Sequence, residues 1–169
     1  GGGNQIYAPA NDPFLITVGA ADDRGTATLA DDRVASFSAY GTTSDGFAKP
    51  DLVAPGKDIV SLLSSDDSNL AREHPANKLL TWAGNAYFRM SGTSVAAPMV
   101  AAAAALILET EPYLTPDQVK YRLLATANQT WPNYDPTEAG AGYLDIYAAV
   151  HGSTTASANT GLQPSRLLW

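Results

Sequence analysis

SGTSVAAPMVAAAAALILET, residues 91–110, is the stretch that decides the reading of this chain. From Val95 to Thr110 it is Ala-rich, apolar on every side and long enough for about four turns. Such a segment is expected to be a helix enclosed by other elements, because a helix exposing apolar residues all round is unstable in water. Ser94 stands just ahead of it, behind two small residues. A helix start has unpaired N–H groups and the positive end of the helix dipole. Those groups can stabilise an oxyanion formed next to a serine oxygen, so the position suits a nucleophile. The same geometry serves a blander purpose if Ser91 or Ser94 simply caps the helix.

Upstream, Phe14 to Ala20 is a short β-branched run bounded by Asp12-Pro13 and Asp22-Asp23, which predicts a strand buried on both faces, as in a parallel sheet. Residues 22–32 are turn material, Val34 to Tyr40 is a short strand or extended loop, and Gly41 to Gly46 is a further turn. Asp51 to Gly56 is an apolar stub stopped by Pro-Gly, and Ile59 to Leu63 is another strand. Residues 64–80 are polar and irregular, the composition of a surface loop or insertion. Downstream, Thr115-Pro116-Asp117-Gln118 has an N-cap residue, Pro at the first helical position and Gln at the third. It predicts a second helix to about Ala127 with Val119, Leu123 and Leu124 on one face. Tyr143 to Val150 is a short helix after Gly140-Ala-Gly. Residues 151–169 read as an extended tail docking by its end, Leu167-Leu168-Trp169.

The 169 residues are 45% hydrophobic and 16% charged, so one domain with a sizeable core is affordable. The net charge of −7, with no Lys/Arg cluster, argues against a phosphate-backbone partner such as nucleic acid. There is no cysteine, which removes disulfides, thiolate metal sites and thiol nucleophiles. The apolar run from Val95 to Leu108 contains Pro98 and is shorter than the roughly 20 residues of a membrane span, so no membrane partner is expected. The chain begins Gly1-Gly2-Gly3-Asn4, without the marks of a signal peptide, and reads as a processed piece or an expressed segment.

Gly92, Thr93, Ser94, Ala96 and Pro98 match every fixed position of the serine motif of the subtilases, the subtilisin-like serine peptidases. The segment 16–20, Ala35-Ser36-Phe37-Ser38, Lys49-Pro50-Asp51-Leu52-Val53-Ala54-Pro55-Gly56 and Gly140-Ala141-Gly142 with Asp145 also resemble that family, in its order. The resemblance runs from about Asn4 to Val150. It implies an α/β fold, part of a three-layer subtilisin-like arrangement with parallel strands around a buried Ala-rich helix. Residues 1–150 would then be the carboxyl-terminal half of a catalytic domain, with 151–169 a tail after it. Ser94 matches the nucleophile, and its own N–H one oxyanion donor. Gly3-Asn4 resembles the family's Gly-Asn, whose side chain supplies the second donor. The alternative is that Asn4 is an ordinary terminal residue.

A serine hydroxyl needs a base, itself oriented by a third group. The two histidines, His74 in a polar loop and His151 after the last helix, lack the family's surroundings. In subtilisin-type chains the order is Asp, His, Ser, so both partners are expected before residue 1. The α/β-hydrolase elbow fails because Ala96 stands where it needs glycine, and no serine has lysine three positions on. Asp22-Asp23, Asp31-Asp32 and Asp66-Asp67 are hard-oxygen pairs of the kind calcium takes, and members of the family often bind calcium as a cofactor, but no ligand spacing is present and the alternative is that they are solvated turn residues. The readings in play are therefore a serine endopeptidase segment, inactive alone, whose parent cleaves polypeptides by an acyl-enzyme, and a catalytically silent module. Either one is expected to self-associate or to pair with the missing amino-terminal half. A remoter one is an unrelated Ala-rich α/β ligand-binding domain. The resemblance further implies a secreted parent.

Overall fold

The computed structural model describes residues 6–80 and 86–162. Its centre is a parallel pair, β1 (Val18–Asp22) and β5 (Leu52–Pro55), in register from Val18 opposite Leu52 to Ala21 opposite Pro55. The crossover between them carries β2 (Arg33–Val34), antiparallel on the other edge of β1, and a hairpin of β3 (Gly41–Thr42) and β4 (Ala48–Lys49). Because side chains alternate along a strand, the pair has two buried faces. Ala20, Leu52 and Ala54 face α2 (Thr93–Thr110), meeting Ala96, Val100, Ala103 and Ile107. Ala21 and Val53 face the other way, onto Trp131, Ala139 and Tyr143.

Three layers result. On one side of the sheet lie α2, α3 (Pro116–Ala125) and α5 (Ile146–His151), sharing Val119, Leu123, Leu144 and Ala149 in one core. On the other lies the segment around α4 (Pro136–Ala139), where the Trp131 and Tyr143 rings meet edge to face at 5.7 Å. The start of α3 is the expected capping box: Thr115 Oγ1 accepts from the Gln118 amide at 3.3 Å, and Gln118 Oε1 accepts from the Thr115 amide at 2.8 Å. A second, antiparallel sheet has the order β6 (Ile59–Leu62), β8 (Ala86–Met90), β7 (Lys78–Leu80). Two residues separate the end of β8 from the start of α2, so this sheet leads the chain into Ser94.

Four expectations are corrected. The first strand begins at Val18, four residues later than Phe14, because the carbonyls of Pro13 and Leu15 are taken by lysine side chains instead of a neighbouring strand. Residues 41–46 are not all turn, since Gly41–Thr42 pair with β4. The stretch 64–80 carries α1 (Asn69–Glu73), a 3-10 turn at Pro75–Asn77 and β7. Ser68 starts α1 by accepting from the Ala71 amide at 3.3 Å, a single-residue cap that composition does not reveal.

The fourth concerns α2, which is not enclosed. Its inner stripe is buried, while Ala97, Ala101, Ala102 and Ala105 are exposed and Leu106 keeps 42% of its surface. The described residues supply no layer on that side. At 18 residues and mean hydropathy 1.5, α2 reaches the lower bound for a bilayer span by length and composition, a test that a core helix also passes. Its inner stripe is docked on the sheet, as in a core helix.

After α5 the tail lies along α3. Arg122 Nη2 donates to Thr154 O at 2.9 Å, Gln118 Nε2 to Thr155 O at 3.0 Å, and Asn159 Nδ2 to Asp117 Oδ1 at 2.7 Å. The end at Leu167-Leu168-Trp169, expected to dock, lies outside the described residues.

Candidate active site

Gly56 sets the start of α2. A methyl group there would lie 2.7 Å from Ala20 Cβ and 3.1 Å from Ala96 Cβ, closer than carbon atoms pack, so only glycine lets the helix reach the ends of β1 and β5. The Gly56 amide donates to Ala21 O at 3.0 Å, and Gly56 O accepts from the Gly92 amide at 2.7 Å. Two hydrogen bonds thus tie the turn ahead of Ser94 to the carboxyl ends of the parallel strands. Ser91 Oγ accepts from the Asp58 amide at 2.9 Å, adding a third tie.

Neither serine caps α2. Gly92 is the N-cap, with no side-chain capping bond, and its carbonyl accepts from the Val95 and Ala96 amides at 2.9 and 3.3 Å. Ser94 is the second residue of the helix and is exposed. The amides of Thr93 and Ser94 have no carbonyl one turn back within the helix, which leaves donors beside the Ser94 hydroxyl. Pro98, four residues on, has no N–H for the Ser94 carbonyl, so the first turn is looser than the rest. Ser94, Thr93 and Ala97 form one wall of a groove of about 380 Å³; Ala10, Ile16 and Thr17 contribute to the other.

No titratable side chain lines that groove among the described residues. His74 is exposed at the junction of α1 and the 3-10 turn, away from the groove. His151 stacks on Tyr147 at 4.1 Å, with its Nδ1 2.9 Å from Tyr147 O. The structure therefore does not bring either histidine to Ser94. Asn4 lies outside the described residues.

Most of the paired aspartates are engaged by other partners. Asp22 pairs with Lys57 at 2.7 Å, which holds its carboxyl below the usual range. Asp23 accepts from the Gly25 amide, Asp31 from Thr26 Oγ1, and Asp66 pairs with Lys78. Among the described residues no three acidic or histidine side chains converge on one point. Asp32 is buried and hydrogen-bonded to the Tyr143 side chain, while its Oδ1 has no hydrogen-bond partner. Burial, followed by the nearby charges of Asp23 and Asp31, pushes its carboxyl above the usual range.

Sequence reasoning missed one cluster. Lys49 Nζ lies 2.7 Å from Asp51 Oδ2, and Lys120 Nζ lies 3.5 Å from Asp51 Oδ1, with both lysines buried. A lysine beside Val119 on the apolar face of α3 was the available signal, since a buried cation needs a partner.

The frame is thus a three-layer α/β arrangement that holds an exposed serine at a helix start, beside a groove. The chain belongs to the subtilase family, peptidase family S8, whose model matches residues 1–157. It is 44% identical over 147 residues to serine protease AprX of Bacillus subtilis (strain 168), covering 87% of this chain and 32% of AprX. It is 32% identical over 135 residues to a C5a peptidase of Streptococcus pyogenes, covering 72% of this chain and 10% of that protein. Among solved structures it resembles fervidolysin from Fervidobacterium pennivorans, with TM-score 0.68, 33% identity and coverage of 86% of this chain and 20% of that one. The chain spans about a third or less of these relatives.

Proposed function

We propose that this chain is the serine-bearing part of a subtilisin-like endopeptidase, and that the histidine and aspartate of the triad come from a segment outside it. The observation that carries the reading is Ser94 itself: exposed, not capping, in the first turn of α2, beside amides that have no carbonyl one turn back, and with no titratable side chain lining its groove among the described residues. In the complete enzyme Ser94 Oγ attacks the peptide carbonyl while the histidine takes its proton. The Ser94 N–H and the Asn4 side chain hold the oxyanion. Collapse expels the amine, which takes the proton from the histidine, and leaves an acyl-serine for water to release. Removing an oxyanion-hole asparagine costs about 2.7–4 kcal/mol in subtilisin, the worked case for this effect.

The open face of α2 is the surface on which the histidine-bearing segment packs, because an apolar helix face without a covering layer is unfavourable in water. Without that segment the face favours self-association, and the chain alone is inert. Residues 1–150 are the carboxyl-terminal half of the catalytic domain and 151–169 a tail. The parent acts on polypeptides outside the cell, a reading supported by the 34% identity to the CO(2)-response secreted protease of Arabidopsis thaliana.

A serine-reactive fluorophosphonate tests this by intact mass. Ser94 is expected to label only when the histidine-bearing segment is added, and Ser94→Ala to abolish labelling and turnover. Labelling of the chain alone would require His74 or His151 as base and overturn the proposal. No labelling under either condition would favour the catalytically silent module.

A further inference from the structure

On the reading of this chain as the serine-bearing part of a peptidase, we propose that Lys120, Lys49 and Asp51 are positioning residues that hold the segment from Ala10 to Thr17 as the substrate-facing wall of the groove beside Ser94. Three elements meet at this segment. From α3, Lys120 Nζ donates to Pro13 O at 2.6 Å and Leu15 O at 3.0 Å. From β4, Lys49 Nζ donates to Leu15 O at 3.3 Å and to Asp51 Oδ2 at 2.7 Å. Asp51, just before β5, accepts from the Thr17 amide at 2.7 Å, and its own amide donates to Thr17 O at 2.8 Å. Thr17 Oγ1 then donates to Ala10 O at 2.8 Å, carrying the restraint to the far end of the wall.

Besides these ties, Ile16 packs against the core and the Phe14 amide donates to Asp12 Oδ1 at 2.8 Å. Phe14 and Leu15 are exposed, and residues 13–17 have left the strand, so the carbonyls of Pro13 and Leu15 are taken by lysine side chains in place of a strand partner. The lysines are an expensive way to satisfy two carbonyls, because two buried cations share one carboxylate. Burial holds the Lys120 ammonium below the usual lysine range despite the pull of Asp51. A purely stabilising design would have used an apolar side chain and paired the segment as strand. What the charged cluster supplies is one fixed path for residues 10–17. Ile16 and Thr17 of that path face Ser94 across the groove.

The test is Lys120→Met, with Lys120→Gln as a second variant that keeps a donor. Hydrogen exchange of the whole chain is read at Thr17 and, as a control for folding, in the inner stripe of α2. The expected result for Lys120→Met is exchange at Thr17 faster by about tenfold or more with α2 unchanged, and a smaller change for Lys120→Gln. In the enzyme complete with its histidine-bearing segment, Lys120→Met is expected to raise KM for peptides by about fivefold to tenfold, the net scale of one ordinary hydrogen bond, with kcat within about twofold. The rate of labelling by a small fluorophosphonate, which does not reach the wall, stays unchanged. Unaltered exchange at Thr17, or a parallel loss of Thr17 and α2 protection, overturns the positioning role. A wild-type enzyme that neither labels nor cleaves instead overturns the peptidase reading, and the exchange result still stands or falls by itself.

Discussion

The two faces of α2 are built from the same residues and have opposite fates. Ala96, Val100, Ala103 and Ile107 are sealed against β1 and β5, whereas Ala97, Ala101, Ala105 and Leu106 stand open. Composition cannot separate them, because burial belongs to a residue and its neighbour together. The inner stripe has its partner within this chain, and the outer face has none among the described residues. Stability and association should therefore respond to different halves of one helix.

The largest effect is expected from the inner stripe. Ile107→Ala, which empties a fully buried site, should cost about 2–5 kcal/mol, read as a lowered urea midpoint with an unchanged slope. A cost below about 1 kcal/mol would mean that the stripe is not the core. Next, Gly56→Ala forces apart atoms already in contact where α2 meets the strands and should cost about 1–3 kcal/mol. In the complete enzyme it should also slow Ser94 labelling; unchanged labelling would separate the position of the helix start from reactivity.

The capping box offers a control remote from either face. Thr115→Ala should cost about 1 kcal/mol through α3 alone.

Asp32 adds a pH dependence. Its folded pKa lies above the ordinary value of 3.8, so the folded chain binds the proton more tightly and ionisation subtracts stability as pH rises through that window. Asp32→Asn should therefore raise Tm at neutral pH, with the gain shrinking as pH falls toward the ordinary carboxylate range. A gain that persists at acid pH would point to packing in place of charge.

The smallest effect on folding should come from the outer face. Ala101→Glu is expected to leave chain stability within about 0.5 kcal/mol while weakening both self-association and binding of the histidine-bearing segment, measured by sedimentation velocity. Unchanged association would move the docking surface elsewhere.

Legibility followed the range of the interactions involved. The capping box of α3, the strand at Leu52–Pro55 and the serine at the start of α2 are local patterns, and each was visible in consecutive residues. The start of β1 was misplaced because Lys120, more than a hundred residues away, takes the Pro13 carbonyl. α1 was missed because one serine cap inside a polar stretch starts it.

By itself the sequence determined the long apolar helix, the serine at its first turn, the absence of thiol chemistry and the family motif, because these reside in residue identity and near spacing. Only the tertiary structure decided that Gly56 is the contact on which the serine turn rests, that two lysines and an aspartate bond to residues 13–17, and that one side of α2 has no covering layer among the described residues. Those depend on which distant segments approach, and close approach is set by packing across the whole chain.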